Sequence, residues 1–454
     1  MYLTTDELLN ATDARLVRGG DNNFGSVITD SRKLKSGCLF VALKGDRFNG
    51  EDFAIEAINK GAAGVIVSSD CDPKNIPGSG VVLTVDDTLK AYQKLAGVWR
   101  SKFDIPIVAI TGSNGKTTTK DLTAAVLSSL GAVLKTASNF NNEIGVPQTL
   151  FELNENHRAA VIEIGMRGLN QIRPLAALVR PTIGIVTNVG ETHIELLGSI
   201  ENIARAKAEL VESIEPGGAV ILNADDENVL AMRARVKPGV KVMTFGLKRD
   251  ADIKGSNLVT RRASTTFTVD YNGKTYDAEI PIIGRHNVSN ALAAIGAAVS
   301  LGLNRQEIRA GLTTLATTKM RFEIIDRNGL QLINDAYNAS PASMRVAINT
   351  TAEIAEGRKI AVLGDMLELG ELSEDLHRSI GSDLAKHNFS VVVTFGKLGR
   401  LIAEGARDAG IENIFMADTH EEAANYLRSI LASGDTILFK GSRAMRMEKI
   451  IELI

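Results

Sequence analysis

Residues 105–130 read IPIVAITGSNGKTTTKDLTAAVLSSL, and they constrain the fold more than any other stretch. IPIVAI (105–110) is apolar and β-branched, which predicts a buried strand. A glycine turn follows, then TTKDLTAAVLSSLG with the spacing of a helix. A strand, a glycine loop and a helix in that order form half of a βαβ unit, so a sheet that is mostly parallel must surround it. The loop is also chemically suggestive. Backbone N–H groups of such a turn point at an anion, and the start of the helix adds favourable partial charge. Gly112 and Gly115 let the backbone come close to phosphates, Lys116 is placed for the β/γ-phosphates, and Thr117 carries a hydroxyl suited to Mg²⁺. The Walker A form G-x-x-x-x-G-K-[ST] is incomplete, because Ile110 stands where its first glycine belongs.

The same alternation extends through the chain. AAVIEIG (159–165), TIGIVTNV (182–189) and GAVILNAD (218–225) read as buried strands, with NIARAKAELVESI (202–214) as a helix. TTFTVDYNGKTYDAEIP (265–281) alternates about Asn272-Gly273, a two-residue hairpin turn, and predicts an antiparallel insertion. HNVSNALAAIGAAVSLG (286–302) is a helix of small residues. After position 315 the strands LQLIND, KIAVLGD, SVVVTFG, NIFMAD and TILFKG alternate with helices, the pattern of a doubly wound domain without the G-x-G-x-x-G of a dinucleotide site. The 454 residues accommodate about three domains. The turn-rich DPKNIPGSG (72–80) lies near the first boundary, so the expected domains are 1–83, 84–314 and 315–454. The fold class is α/β throughout.

Composition removes several functions. A net charge of −3 offers no polybasic field for nucleic acid. Cys38 and Cys71, the two cysteines, have no metal or redox spacing and predict a reducing, cytoplasmic setting. The N-terminus has early acids and no apolar core, and no apolar run is long enough to span or insert into a membrane.

A phosphoryl-transferring site needs metal ligands and charge stabilisation besides its loop. Glu163 lies at the end of a buried strand and His193 follows another, where the ligand crevice of an α/β sheet lies. Alone, such a Glu is more often a solvated or capping residue and such a His a structural one; together with the loop, the functional reading of each reaches even odds. Asn287 and Asn290 share a helix face, where they can read a base edge, or Asn287 can cap the helix, which is the reading that pattern alone favours. Lys207 in ARAKAEL reads by spacing as a solvated helix lysine.

AITGSNGKTTTK resembles the phosphate loop of the Mur ligases and their folylpolyglutamate synthetase relatives, whose T-G-[ST]-[NK]-G-K-[ST] form lacks the first Walker glycine. The resemblance covers almost the whole chain. TDSRKLKSGCLFVALKGDRFNGEDF looks like the family's N-terminal uridine-nucleotide domain, and SNFNNEIGVPQTL like the stretch that meets the UDP-sugar substrate. GRHNVSNALAA resembles the adenine motif H-N-x-x-N-x-x-A-A, and FKGSRAMRME a C-terminal signature. NDAYNASPASM (334–344) resembles the D-x-Y-N-A-[NS]-P-x-S-M motif of the branch that adds D-alanyl-D-alanine, whereas the DNPR of the diaminopimelate-adding branch is absent.

The resemblance implies three domains: a small N-terminal α/β domain for the UDP substrate, a central phosphate-loop domain for ATP, and a C-terminal Rossmann-like domain that binds the incoming dipeptide and closes over ATP. It implies an ATP-dependent, ADP-forming ligase that joins D-Ala-D-Ala to UDP-N-acetylmuramoyl-tripeptide through an acyl phosphate, working as a monomer with ATP and two Mg²⁺ ions. Carried over by motif, Gly112, Ser113, Asn114, Gly115, Lys116, Thr117 and Thr118 bind the phosphates. Thr117, Glu163, His193 and Lys207 are metal positions, with Lys207 carbamylated. Asn287 and Asn290 match the adenine site, Asp335 the ribose-binding acid, and Tyr337 lies beside the base. Arg321 in KMRFE matches the arginine that contacts ATP from the C-terminal domain, and Lys116, Lys207, His193 and Arg321 form the catalytic set. Ser31, Arg32, Asn139 and Asn142 are the implied UDP-substrate contacts. The alternatives are another amide ligase of the same superfamily and a non-catalytic nucleotide- or precursor-binding protein on a ligase scaffold.

Overall fold

The computed structural model describes residues 2–45, 48–261, 263–315 and 319–454. The β-branched runs form the interior of three large sheets. The first orders Arg15–Arg18, Val81–Val85, Gly64–Ser68, Leu39–Val41 and Val27–Ile28, with only the first pair antiparallel. Its strand Val81–Val85 crosses the expected boundary at 83/84, because Thr84 and Val85 still pair with Val67 and Ser68. The first unit therefore keeps the whole strand. Helix Thr88–Ser101 follows, started by Asp87, whose side chain accepts from the Lys90 N–H. Its buried stripe of Ala91, Tyr92, Leu95, Ala96 and Trp99 shares one core with Leu39 and Leu83 of the first sheet and with Ile162 and Leu175 of the next unit. Apolar helical spacing thus becomes the seam between two units.

The central sheet has nine strands. Their order is Lys274–Ile280, Thr265–Tyr271, Ile253–Thr260, Lys241–Gly246, Ala219–Asn223, Ile183–Val186, Ile107–Thr111, His157–Glu163 and Ala132–Lys135. All neighbours are parallel except the two pairs made by the hairpin. The hairpin turns at Asn272 and Gly273, both with positive φ (53° and 66°), and Tyr271 pairs with Lys274. It extends the edge of the parallel sheet through Ile253–Thr260 instead of standing apart as an insertion. Helices Lys116–Leu127 and Arg285–Ser300 pack together over this sheet. The second can approach closely because Gly296 has no side chain. A Cβ there would sit 2.8 Å from Ile221 Cγ2.

The C-terminal sheet orders Glu323–Arg327, Leu330–Asn334, Thr436–Lys440, Lys359–Gly364, Val391–Phe395 and Asn413–Ala417. Only the first pair is antiparallel, and the strand Glu323–Arg327 carried no sequence expectation. The expected boundary at 314/315 follows the helix Arg305–Thr313, and residues 316–318 lie outside the described ones. Among the described residues no helix is long and apolar enough to cross a membrane.

Candidate active site

The loop after Ile107–Thr111 lies at the carboxyl end of a strand in the middle of the sheet, the place where α/β sheets hold ligands. Two glycines are required there. Gly112 (φ 151°) would bring a Cβ to within 1.9 Å of Thr187 Oγ1, and Gly115 (φ 80°) to within 2.5 Å of Asn290 Oδ1. Gly115 opens the helix Lys116–Leu127 and no side chain caps it, so the first amides remain available to an anion. The segment after Ile183–Val186 straps the loop down. Ser113 N–H donates to Asn188 O (2.9 Å), Asn114 N–H to Asn188 Oδ1 (2.9 Å), and Thr187 Oγ1 to Asn114 O (2.7 Å). Thr118 lines the same cleft. Lys116 Nζ folds back onto Gly112 O at 2.8 Å. Burial pushes its ammonium below the ordinary lysine range, the Glu163 charge opposes this, and Arg321 reinforces it.

A cleft of about 1180 Å³ opens between the central and C-terminal units at this loop. Thr117 Oγ1 donates to Glu163 Oε2 (2.8 Å), Asn141 Nδ2 donates to Glu163 Oε1 (2.7 Å), and Arg321 Nη2 donates to Thr117 Oγ1 (2.9 Å). The Arg321 guanidinium lies 4.1 Å from the centre of the Tyr337 ring. His193 Nδ1 is 2.6 Å from Glu368 Oε2, though not aligned for a hydrogen bond, and burial lowers the imidazole's pKa while Glu368 opposes. Lys207 reaches the cleft from helix Ile200–Glu212 and is 2% exposed, which corrects the solvated reading that spacing favours. Burial, then the neighbouring Lys116 charge, lowers its pKa well below the ordinary lysine value.

Asn287 is not the helix cap. Gly284 holds that position, while Asn287 Nδ2 donates to Ile283 O (2.7 Å) and its Oδ1 accepts from Asn290 Nδ2 (3.2 Å). Asn290 Oδ1 in turn accepts from Thr119 Oγ1 at 3.2 Å, which ties this face to the phosphate-loop helix. Asp335 accepts from Lys440 Nζ at 2.5 Å and from Phe322 N–H at 3.1 Å. His286 lies beside them, its pKa pushed down to about 4 by burial. Ser340 Oγ donates to Asn114 Oδ1 at 3.2 Å across the cleft. Asn139 and Asn142 line the cleft, whereas Ser31 and Arg32 do not. Arg32 sits in the turn Ser31–Lys33 and donates to both oxygens of Asp30 (2.8 and 2.9 Å), which pulls that acid down to about 2. Sequence reasoning did not single out Asn141, Glu368 or Lys440. Glu368 had a readable signal, because it closely follows a buried strand, Lys359–Gly364, while Glu163 ends one.

The residues present suit a hard cation. The Thr117 hydroxyl and the Glu163 carboxylate are oxygen donors, and the described residues contain no cluster of three or more His, Cys, Asp or Glu that forms a closed metal cage. That fits Mg²⁺, which keeps waters and binds through one or two carboxylates together with phosphates.

Comparison with known proteins covers the whole chain. Three family descriptions match: "Mur ligase family, catalytic domain" over residues 24–100, "Mur ligase middle domain" over 110–298, and "Mur ligase, glutamate ligase domain" over 320–443. The UDP-N-acetylmuramoyl-tripeptide–D-alanyl-D-alanine ligase of Bacillus subtilis (strain 168) is 39% identical over 432 residues, 94% of this chain and 92% of that one. MurF of Acinetobacter baumannii superposes with a TM-score of 0.91 at 30% identity, covering 100% of this chain and 98% of the other. MurF ligase of Thermotoga maritima, solved in complex with ADP, gives 0.84 at 27% identity, covering 94% and 96%.

Proposed function

The chain belongs to the Mur ligase family, and from that premise we propose that it joins D-alanyl-D-alanine to the terminal carboxylate of UDP-N-acetylmuramoyl-tripeptide with ATP as phosphoryl donor. One observation carries this reading. The segment 334–344, NDAYNASPASM, lines the cleft facing the phosphate loop, with Ser340 reaching Asn114. The first sheet unit takes the UDP end of one substrate through Ser31 and Arg32, with Asn139 and Asn142 of the central unit as further contacts. The central unit takes ATP, with Asn287 and Asn290 at the adenine. The C-terminal unit brings Asp335 and Tyr337 to the nucleoside and carries the dipeptide.

The tripeptide carboxylate attacks the γ-phosphorus of ATP, giving an acyl phosphate and ADP. The amine of D-Ala-D-Ala then adds to the activated carbonyl, and phosphate leaves from the tetrahedral intermediate. Activation is essential because a carboxylate does not acylate an amine in water. Gly112 to Thr118 cradle the phosphates through backbone N–H groups, and Lys116 swings from its own loop carbonyls onto them. Arg321 arrives from the C-terminal unit and neutralises charge on the transferring group. Thr117, Glu163, His193 and Lys207 would hold magnesium ions, which would supply further charge neutralisation at the phosphates. A buried ammonium beside Lys116 would repel that metal. Its lowered pKa favours the free amine, which adds CO₂ to become an anionic carbamate with oxygen ligands. Closure of the two units excludes water, to which an acyl phosphate would otherwise be lost.

A phosphate-release assay that crosses UDP-tripeptides with candidate nucleophiles tests the reading. Release is expected with D-Ala-D-Ala alone among them. Release with free diaminopimelate or glutamate instead would assign another ligase branch, and ligand binding without release would assign a non-catalytic role.

A further inference from the structure

Among the described residues that line the cleft, two carboxylates have no part in the ligase reaction as described, Glu143 on the central unit and Glu368 on the C-terminal one. Glu163 is engaged by Thr117 and Asn141, Asp335 by Lys440, and Asp121 by Lys135. Glu368 stands on the opposite wall, on the loop that follows strand Lys359–Gly364 of the C-terminal unit. It faces His193 at 2.6 Å and the exposed Arg167 at 3.9 Å. The loop is built to present it. Met366 N–H donates to Nε2 of the fully buried His377 (2.9 Å), Leu367 N–H to Ser442 Oγ (2.9 Å), and Ser442 N–H to Asp365 O (2.9 Å). His377 Nδ1 lies 2.6 Å from Ser373 O and donates to it, which leaves Nε2 as the acceptor. Met366 and Leu369 anchor the loop in the core. Glu368 (φ 64°) and His193 (φ 66°) both hold left-handed backbone, uncommon for residues with a side chain and concentrated at sites where geometry is functional.

We propose that Glu368 binds the ammonium group of the incoming dipeptide at the wall facing the reaction centre, holding the nitrogen there until it loses a proton and attacks as the free amine. This rests on the ligase reading above. The dipeptide carries its positive charge on the nitrogen that reacts, whereas ATP is a polyanion and the UDP-tripeptide is anionic overall and reacts at a carboxylate. Its nitrogen must come within bonding reach of a carbonyl that stands beside Lys116 and Lys207. Lys116 would repel an ammonium, so a carboxylate opposite it is needed, and the unit that carries the dipeptide supplies one at the wall facing it. A magnesium ion at His193 would also be drawn to Glu368, and a raised Mg²⁺ requirement in the variant separates that role from the one proposed.

Glu368→Gln preserves size and removes the charge. The KM for D-Ala-D-Ala is expected to rise about 10- to 100-fold, the cost of one charge-assisted hydrogen bond, with KM for ATP and for UDP-tripeptide within about twofold of wild type. Propionyl-D-alanine, the same dipeptide without its amino group, should inhibit wild type and variant equally. Hydroxylamine should still trap acyl phosphate in the variant when no dipeptide is present. Glu368→Asp should recover part of the dipeptide affinity. An unchanged dipeptide KM, an equal loss of affinity for propionyl-D-alanine, or a raised Mg²⁺ requirement in place of a raised dipeptide KM would each overturn the proposal. If wild-type protein does not use D-Ala-D-Ala at all, the underlying ligase reading fails instead, and that is measured before any variant is made.

Discussion

Lys207 shows how chemistry at one residue follows from its surroundings. Among the described residues its strongest charged neighbour is another lysine, so burial and repulsion both favour the neutral amine. Lys207→Ala is expected to lower turnover at least about 100-fold, the scale on which removing one charge-stabilising group acts. Formate or acetate should restore part of the rate by refilling the anionic position, and full activity without additive would refute the carbamate. Lys116→Ala should abolish phosphate release with thermal melting close to wild type, because the wild-type ammonium bonds only its own loop carbonyls. His286 predicts a pH dependence of stability. Burial and the Lys440 charge hold its folded pKa near 4 against 6.5 for the free side chain, although Asp335 opposes them. The unfolded chain therefore binds the extra proton between those values, and stability falls as pH drops from about 6.5 towards 4. Chemical denaturation across that window checks the sign, and His286→Gln should flatten this contribution. Sequence spacing could show none of these environments. It gave Lys207 a solvated face because the pattern ARAKAEL records helical periodicity and says nothing of what packs against the helix.

Elements were legible where local sequence and burial agreed. Ile107–Thr111, Ile183–Val186 and Ala219–Asn223 are buried on both faces and read as continuous apolar runs. The hairpin was legible because Asn272-Gly273 leaves little choice of turn. Ala132–Lys135 and Ile253–Thr260 were not, since the first is short and half-exposed and the second, IKGSNLVT, mixes polar and apolar residues beside a register shift. Helix Arg285–Ser300 is readable as small-residued, but only the fold shows why. Its Gly296 rests against Ile221 and Ile253 of the sheet. Gly296→Val should destabilise the protein by about 1–3 kcal/mol through overpacking. A lowered urea midpoint with an unchanged slope would report it, and an unchanged midpoint would mean that the helix can lift from the sheet without cost.

At the scale of the molecule, length and alternation gave three units, but the contacts that join the last two were beyond reach of pattern. Arg321 bonds Thr117 across 204 positions, and Ser340 bonds Asn114 across 226. Local propensity carries no information at such separations, so only motif resemblance singled out Arg321, which the fold brings to Thr117 of the phosphate loop. Together with His193 and Glu368, these polar pairs bridge the cleft directly. Polar bridges of that kind, unlike an apolar seam such as helix Thr88–Ser101 makes with two units, leave two bodies free to separate. Arg321 contributes twice, through its bond to Thr117 and through its stacking on Tyr337, which comes from its own unit and aims it. Removing a charge-assisted bond of about 1.5–3 kcal/mol shifts a two-state equilibrium roughly 10- to 150-fold. Arg321→Ala should therefore populate an open form. Small-angle scattering reads this directly: a compact chain of 454 residues has a radius of gyration of about 22 Å, and the variant should exceed wild type by several ångström under the same conditions. The thermal stability of the separate units should hardly move, since Arg321 is in none of their apolar cores. Equal radii with an impaired KM for ATP would mean that Arg321 serves the phosphates alone and that closure is held by the other two bridges.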